Sequence, residues 1–202
     1  MLLVVASRNR DKLVELRHAL AGLALEVRGA ADFPGVPEVE ETGRTLRENA
    51  LLKARAVSRA TGRLALADDT SLEVDALGGE PGVHSGRYAG PEQDYAHNLA
   101  KLLDRMAGVP AARRGARFRT VAAIVFPDGR AEVVEGVCEG RILESPRGTG
   151  GFGYDPVFLV PETGRTFAEM TLEEKNRASH RGRAMRAARA ILEAYVSGDG
   201  GE

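Results

Sequence analysis

The chain has 202 residues, and 43% of them are hydrophobic, which is sufficient for one domain of ordinary size with a buried core. Its 28 basic and 29 acidic side chains leave a formal net charge of −1, which excludes an overall positive field that attracts nucleic acid or anionic lipid. The single cysteine, Cys138, excludes an internal disulfide and has no Cys or His at the short spacing of a zinc site.

The N-terminal run from Leu2 to Ala6 is apolar and short, which is typical of a buried strand. No basic segment precedes it and charged residues follow at once, so it predicts neither a signal peptide nor a membrane span. We therefore expect a soluble, cytoplasmic protein without membrane contact. After a polar turn, Leu13, Leu16 and Leu20 recur at helical spacing, and Gly22 is placed to end that helix.

A second helix and a second strand follow. Thr45 and Glu48 have the spacing of a capping box that opens the helix, and Gly62 is placed to close it. Leu64 to Ala67 is another buried apolar run, and it leads directly into Asp68-Asp69. Open α/β sheets usually place their chemistry at the carboxyl ends of strands, so this acidic pair is a candidate site. The apolar face of the second helix consists of Leu46, Ala50, Ala54 and Val57.

The second half of the chain predicts a hairpin, a loop and two helices. Pro91 is placed to open a helix. The runs Phe118 to Phe126 and Ala131 to Val137 flank a turn sequence, so they predict a hairpin and a mixed sheet. Pro146 to Pro156 is a glycine-rich loop, and Thr171 opens a second capping box with Glu174. The two helical stripes are Leu99, Leu102, Leu103 and Met106, and then Ala184, Ala188, Ile191, Leu192 and Tyr195.

The sequence contains no internal repeat, low-complexity tract or linker that separates independent domains. We therefore predict a single α/β domain over residues 1–202, with a mixed central sheet, flanking helices and two lobes around a cleft. The tail from about Ser197 is expected to be frayed.

The turn from Ser7 to Lys12 joins the first strand to the first helix. Such a turn exposes backbone N–H groups and a helix N-terminus that favour phosphate, and Asn9 and Lys12 add side-chain donors. Taken alone, the pattern also fits an ordinary strand-to-helix turn with a solvated lysine.

Two acidic pairs, Glu40-Glu41 and Asp68-Asp69, indicate a metal site. Mg²⁺ prefers hard oxygen ligands and retains several waters, so one carboxylate from each pair, with substrate phosphate, is sufficient. Glu40-Glu41 alone also fits a solvated loop. Asp68-Asp69 is more informative, because adjacent carboxylates after an apolar strand repel each other unless a cation or proton is shared.

The loop from Pro146 to Pro156 carries three glycines at the spacing of a dinucleotide-binding fingerprint: Gly148, Gly150 and Gly153. We reject that motif because it has to open a helix, whereas the proline in Asp155-Pro156 disfavours one. Phe152 and Tyr154 remain as two aromatic rings. They either stack on a nucleobase or turn inward and fill the core.

A basic cluster precedes and enters the last helix: Lys175, Arg177, His180, Arg181 and Arg183. In an arginine-rich chain this cluster fits a solvated helical face. The wider segment from Lys175 to Arg189 also allows a non-enzymatic RNA-binding module.

Taken together, these segments resemble the inosine triphosphate pyrophosphatase family, which acts on non-standard purine nucleotides. Eight motifs in one order carry the resemblance over nearly the whole chain. They are Ala6-Ser7-Arg8-Asn9 to Lys12 and Glu15, Glu41-Thr42-Gly43 to Glu48-Asn49-Ala50, Ala67-Asp68-Asp69, Leu77-Gly78-Gly79 to Tyr88-Ala89-Gly90, Gly151-Phe152-Gly153-Tyr154-Asp155-Pro156, Ala168-Glu169, Glu174-Lys175-Asn176 and Ser179-His180-Arg181. One departure is Thr70-Ser71, where many members have Ser-Gly; the hydroxyl at position 70 is kept, but Ser71 restricts the backbone.

The resemblance implies two lobes around a nucleotide-binding cleft, usually in a homodimer. It implies that one Mg²⁺ per active site is bound by Glu41 and Asp69, and that the substrate is a small-molecule nucleotide, not a nucleic acid. The triphosphate would be held by Ser7, Arg8, Asn9, Arg10, Asp11 and Lys12, with Thr70 as a further substrate contact. The base would be surrounded by Phe152, Gly153, Tyr154, Asp155, Lys175, His180 and Arg181.

The implied reaction is hydrolysis of inosine, deoxyinosine and xanthosine triphosphates to the monophosphate and pyrophosphate. Asp69, helped by Asp68, is expected to activate the attacking water, while Lys12 and Lys53 stabilise the developing charge. Arg181 only donates hydrogen bonds, so we expect it to favour a 6-oxo purine over the 6-amino group of adenine. The alternatives are a related pyrophosphatase acting on modified pyrimidine nucleotides and the RNA-binding module.

Overall fold

The computed structural model describes residues 1–92 and 94–198. Strands and helices alternate along most of this part of the chain, as in an α/β protein. The strands are β1 (Leu2–Val5), β2 (Glu26–Gly29), β3 (Leu64–Val74), β4 (Pro81–Gly82), β5 (Gly115–Val125), β6 (Ala131–Ile142), β7 (Phe158–Val160) and β8 (Arg165–Thr166). The helices are α1 (Arg10–Ala19), α2 (Leu46–Thr61), α3 (Tyr95–Arg105), α4 (Leu172–Ala178) and α5 (His180–Ser197).

The eight strands form one sheet in the order β2-β1-β3-β5-β6-β7-β8, with β4 paired to β3. β1 runs parallel to both β2 and β3, whereas β3 and β4, β6 and β7, and β7 and β8 are antiparallel pairs. The predicted mixed central sheet with flanking helices is therefore confirmed. Over the described residues, no helix combines the length and apolarity needed to cross a bilayer.

The chain divides into two compact units, each with its own apolar core. The first unit consists of residues 1–69, 120–136 and the segment from 181 onward, and the second consists of residues 70–119 and 137–180. The first core packs residues of β1, β3 and β5 with α1 and α5, including Leu3, Leu16, Leu66, Ile124 and Leu192. The second core includes Leu102, Met106, Phe118, Phe158 and Phe167. The predicted cleft between two lobes stays a prediction.

Several local predictions are confirmed. Gly62 follows α2 in the left-handed conformation, with φ of 64°, which a residue without a Cβ adopts most easily. Thr171 and Glu174 form the predicted capping box of α4. At the other predicted box, Thr45 caps the backbone N–H of Glu48, but the Glu48 carboxylate accepts from the N–H of Arg44 instead of Thr45. The hairpin β5–β6, the glycine-rich loop and the apolar stripe of α5 are also present.

Two predictions about element ends are wrong, and a third lies partly outside the residues that the structure describes. β3 does not end at Ala67 but continues to Val74, because the strand borders β5 and its residues Leu72 and Glu73 pair with β4. Pro91 does not open α3; Asp94 does, since its side chain accepts from the backbone N–H groups of Ala96 and His97. α5 ends at Ser197, and the rest of the predicted frayed tail, after Gly198, lies outside the described residues.

Candidate active site

The acidic pair Asp68-Asp69 lies within β3, just past the carboxyl end of its parallel neighbour. β1 ends at Val5, and its pairing with β3 covers Leu64 to Leu66. Both carboxylates are buried, with 2% of Asp68 and 6% of Asp69 exposed. Because successive side chains of a strand point to opposite faces, the two acids contact different helices. Asp68 contacts α1 and α5, whereas Asp69 contacts α2.

Two cations converge on one oxygen of Asp68. Lys12 Nζ lies 3.3 Å and Arg181 Nε lies 3.1 Å from Asp68 Oδ2. Arg181 also donates through Nη1 to Oε2 of Glu15, at 2.6 Å. Burial alone would raise the pKa of Asp68, but the charges of Lys12, Arg181 and Lys53 outweigh it and hold the pKa below its ordinary value. Asp68 is therefore ionised and held in ion pairs with Lys12 and Arg181.

The pKa values of the two cations that contact Asp68 shift in opposite directions. Burial lowers the pKa of the Lys12 ammonium, and the attraction of Asp68 offsets only part of that shift. For Arg181, burial also favours the neutral form, but Asp68 and Glu15 outweigh it, so its pKa lies above the ordinary value. Arg181 thus keeps its charge, while Lys12 is the more easily deprotonated of the two.

Asp69 is held on both of its oxygens. Asn49 Nδ2 donates to Oδ2 at 3.1 Å, and Lys53 Nζ lies 3.1 Å from Oδ1. Burial raises the pKa of Asp69, and Glu41 adds to the rise, while Lys53 opposes it. A carboxylate with a raised pKa, close to a second acid, is typical of a group that exchanges protons in catalysis.

Lys53 joins the two segments that the sequence predicts to bind metal. Its Nζ lies 2.7 Å from Oε1 of Glu41, 2.8 Å from the carbonyl oxygen of Asp68 and 3.1 Å from Oδ1 of Asp69. Burial alone lowers the pKa of Lys53, but the carboxylates of Asp69 and Glu41 outweigh burial and raise it. Glu40, by contrast, is exposed, so Glu41 is the member of its pair that faces the acidic strand.

The donor set of Glu41 and Asp69 fits a magnesium ion. One oxygen of each carboxylate already lies within 3.1 Å of a single positively charged atom, Lys53 Nζ, so the two acids share a cation. Within residues 1–92 and 94–198, no three His, Cys, Asp or Glu side chains cluster as a metal site. Mg²⁺ does not require three, because it is commonly held by one or two carboxylates, several waters and substrate phosphate.

The predicted phosphate turn, Ser7 to Lys12, caps α1 with its own side chains. Asn9 Oδ1 accepts from the backbone N–H groups of Asp11 and Lys12, and Ser7 Oγ accepts from the N–H of Asn9. Arg8, Arg10 and Asp11 are exposed, whereas Lys12 reaches Asp68. The turn is therefore an ordered helix cap that directs Lys12 into the acidic cluster; its contact with phosphate stays a prediction.

In the second unit, the glycine-rich loop folds around the carboxylate of Asp155. Asp155 Oδ2 accepts from the backbone N–H of Phe152 at 2.8 Å and pairs with the buried ammonium of Lys175. A Cβ at Gly151, where φ is 68°, would lie only 2.0 Å from that oxygen, so the loop requires glycine there. Gly153 also has a positive φ, of 62°. The buried ion pair of Asp155 and Lys175 thus helps to hold the loop, together with backbone bonds such as that from the N–H of Gly150 to the carbonyl oxygen of Ala168.

The two aromatic rings of this loop have different surroundings. Tyr154 is 5% exposed, packs in the second core and donates its hydroxyl hydrogen to the carbonyl oxygen of Ser85 at 2.9 Å. Phe152 is only partly buried, with Lys175 Nζ 4.6 Å from its ring centre and the ring of Tyr95 at 5.7 Å. Phe152 is therefore the more exposed of the two rings, and Tyr154 fills the core.

Other predicted base contacts are distributed over both units. His180 is buried and stacks on Phe118, with ring centres 4.4 Å apart, in the second unit. Thr70, the residue after Asp69 in β3, is partly buried. Arg181 belongs to the cluster around Asp68 in the first unit, where two of its nitrogens already donate to carboxylates. Whether these residues contact a base stays a prediction.

Glu15 and Asn49 are not among the site residues named from the sequence, although both lie in the motifs that carry the family resemblance. Glu15 is a buried carboxylate that pairs with Arg181, and Asn49 is 1% exposed and bonds Asp69. Asn49 and Lys53 are four residues apart, so they share one side of α2 next to its apolar stripe. From the sequence, that four-residue spacing could have indicated that Asn49 lies beside Lys53.

A Ham1 family model matches residues 3–191 of the chain. A dITP/XTP pyrophosphatase of Geobacillus kaustophilus is 50% identical over 198 residues, which cover 98% of this chain and 97% of that protein. A dITP/XTP pyrophosphatase of Thermus thermophilus is 54% identical over 198 residues, covering 98% of this chain and 93% of that protein.

Among solved structures, the Ham1 protein of Staphylococcus aureus has a TM-score of 0.84 at 37% identity, with 96% of this chain and 100% of that chain covered. A HAM1 protein from Coxiella burnetii has a TM-score of 0.85 at 41% identity, with coverages of 95% and 98%.

Proposed function

The chain belongs to the Ham1 family, and from that premise we infer that it is a pyrophosphatase of non-standard purine nucleoside triphosphates. It hydrolyses inosine, deoxyinosine and xanthosine triphosphates to the nucleoside monophosphate and pyrophosphate, and so removes them from the nucleotide pool. The observation that carries this function is the buried pair Asp68-Asp69, in which each acid has its own lysine, Lys12 or Lys53.

This arrangement suits a phosphate anhydride better than it suits RNA. A polyanion is gripped by exposed cations, but Lys175 and Arg181 of the basic cluster are buried in ion pairs with Asp155, Glu15 and Asp68. Arg177 and Arg189 pair with Glu173 and Glu193 on their own helices. Four cations of the segment from Lys175 to Arg189 are therefore paired with the protein's own acids.

Glu41 and Asp69 are the residues that we propose to hold one Mg²⁺ per active site. When bound, the ion supplies charge neutralisation on the triphosphate and acts as a Lewis acid toward its oxygens. In support of this, the two carboxylates share one cationic partner, since Lys53 Nζ lies 2.7 Å from Oε1 of Glu41 and 3.1 Å from Oδ1 of Asp69.

In the hydrolytic step, Asp69 orients a water molecule and takes its proton as the water oxygen bonds to the α-phosphorus. The bond between that phosphorus and the oxygen bridging to the β-phosphate breaks, and pyrophosphate leaves. Lys12 and Lys53 stabilise the negative charge that develops on the phosphoryl oxygens. Asp68 supports this step indirectly, because it holds Lys12 at 3.3 Å and Arg181 at 3.1 Å.

For the base, we propose stacking on Phe152, with backbone N–H groups near Gly153 as donors to a 6-oxo group. Three further proposals come from the family resemblance alone: a role for Thr70, Tyr154 and His180 next to the substrate, a homodimeric assembly and a cytoplasmic location.

The direct test is a panel of inosine, xanthosine, guanosine, adenosine and modified pyrimidine triphosphates, each with Mg²⁺. Pyrophosphate and orthophosphate are quantified separately. We expect equimolar monophosphate and pyrophosphate from inosine and xanthosine triphosphates. Orthophosphate with the diphosphate would contradict attack at the α-phosphorus, and preference for a pyrimidine would contradict the purine assignment.

A further inference from the structure

Asn49 connects the segment that carries Glu41 to the acidic strand. Its Oδ1 accepts from the backbone N–H of Gly43 at 2.8 Å, and its Nδ2 donates to Asp69 Oδ2 at 3.1 Å. The side chain is enclosed, since Asn49 is 1% exposed. One amide therefore bonds both segments that supply the proposed metal ligands, Glu41 and Asp69.

The orientation of this amide is determined by its two partners. The N–H of Gly43 can only donate, so it requires the amide oxygen, and the carboxylate oxygen of Asp69 accepts, so it favours the amide nitrogen. The reversed amide would place donor against donor at Gly43 and acceptor against acceptor at Asp69. Asn49 is thus a directional link between the two segments.

Gly43 is the residue that allows this close approach. A Cβ at position 43 would lie 2.5 Å from Asn49 Oδ1 and 2.7 Å from the Cβ of Glu48. Both distances are shorter than a real Cβ contact, and the Glu48 atom belongs to the first turn of α2, so the chain would have to shift. Any side chain at position 43 therefore moves the Glu41 segment away from Asn49.

We propose that Asn49 is a positioning residue that sets the relative placement of Glu41 and Asp69. Because Asn49 binds Oδ2 of Asp69, the oxygen that we propose for the metal ion is Oδ1, which Lys53 contacts at 3.1 Å. This inference rests on the proposed function, because it assigns how the metal ligands of that site are arranged. Groups that orient metal ligands typically contribute about 10–100-fold to metal affinity or activity.

The chain offers a matched control in Asn98 of α3. Asn98 is 2% exposed, and it also links a loop to a helix through both ends of its amide. Its Oδ1 accepts from the N–H of Ala89 at 2.6 Å, and its Nδ2 donates to the carbonyl oxygen of Gly86 at 3.0 Å. It has the same residue type, burial and bonding pattern as Asn49, but no carboxylate partner.

The test compares Asn49→Ala, Gly43→Ala, their double variant and Asn98→Ala in the full chain. Mn²⁺ serves as the metal probe, and its binding is followed by loss of the free-ion paramagnetic resonance signal with the α,β-imido analogue of inosine triphosphate present. We expect the Mn²⁺ dissociation constant to rise about 10–100-fold in Asn49→Ala and Gly43→Ala. The double variant should add little to either, and Asn98→Ala should bind Mn²⁺ like the unmodified chain.

Thermal melting and Mg²⁺-dependent turnover of inosine triphosphate complete the comparison. We expect Asn49→Ala and Asn98→Ala to melt at similarly lowered temperatures, while only Asn49→Ala needs more Mg²⁺ for half-maximal turnover. If both variants bind Mn²⁺ equally, Asn49 is merely structural and the inference is wrong. Gly43→Ala decides the question if Asn49→Ala does not fold. An unmodified chain that releases no pyrophosphate contradicts the proposed function, while its Mn²⁺ affinities still decide the role of Asn49.

Discussion

Arg181 donates through Nε to Oδ2 of Asp68 at 3.1 Å, although 113 residues separate them in the chain. Both side chains are almost completely buried, with 3% of the Arg181 side chain and 0% of the Asp68 side chain exposed. From the sequence, Arg181 is expected to distinguish a 6-oxo purine from adenine. In the structure it is first the counter-charge of Asp68 and Glu15, and this changes what its removal should do.

Arg181→Ala should reduce catalytic efficiency on inosine and adenosine triphosphates by similar factors. The reason is that Asp68 loses one of its cations whichever base is bound. Breaking a buried ion pair from one side should also lower the free energy of unfolding by about 3–5 kcal/mol. Urea unfolding and efficiencies at fixed Mg²⁺ measure both effects, with the exposed Arg183→Ala as control. A loss confined to inosine triphosphate would instead support the base contact.

Asp69→Asn should lower turnover of inosine triphosphate at least ~100-fold, the low end of general-base effects. The amide cannot take a proton from water, and it presents a weaker ligand to Mg²⁺. Turnover is measured over a range of Mg²⁺ concentrations up to saturation. Near-normal turnover at saturating Mg²⁺ would remove Asp69 from the role of base.

The neighbouring acids Glu40 and Glu41 offer a test of the metal site, in which Glu41 is the proposed ligand and Glu40 is the control. Glu41→Gln should raise the Mg²⁺ concentration for half-maximal turnover about 10–100-fold, because Glu41 faces Lys53 and Asp69. Glu40→Gln should leave that concentration unchanged, since Glu40 is exposed. Equal effects of the two substitutions would contradict the assignment of Glu41 as the ligand.

Phe152→Ala should raise the KM for inosine triphosphate with little change in thermal stability, because the ring is only partly buried. Stacking on an aromatic ring contributes about 1–3 kcal/mol per base. Phe167→Ala is the contrasting variant: that ring is fully buried, and its loss should lower the free energy of unfolding by about 3–5 kcal/mol. If Phe152→Ala has a normal KM, the base does not stack there.

The contribution of Glu174 to stability should disappear as the pH falls. Its hydrogen bond with Arg165, and then that with the backbone N–H of Thr171, lower its pKa from 4.5 to about 2. A lowered folded-state pKa means that this carboxylate stabilises the fold above about pH 4.5 and ceases to do so as the pH falls toward 2. The difference in melting temperature between the unmodified chain and Glu174→Gln should therefore shrink from pH 6 to pH 3. Glu173→Gln, in the same helical turn, is the control; a pH-independent difference would contradict the prediction.

Local sequence patterns determined most elements of this fold. The boundaries of α2, the hairpin β5–β6 and the capping box of α4 depend on residues a few positions apart, so spacing alone predicts them. Short elements such as β2, β4, β7 and β8 carry too few residues for a periodic signal, and pairing in the sheet stabilises them instead. The same reason explains β3, whose polar second half lies next to β5 and pairs with β4 through Leu72 and Glu73.

For the candidate site, the sequence by itself predicted which segments contribute to it: the turn before α1, the two acidic pairs, the glycine-rich loop and the basic cluster. Only the tertiary structure decided which residue faces which. It placed Lys12 and Arg181 on Asp68, Lys53 and Asn49 on Asp69, and Tyr154 in the core. Contacts between residues 16 to 113 positions apart depend on how helices pack on a strand, and no local pattern encodes that packing.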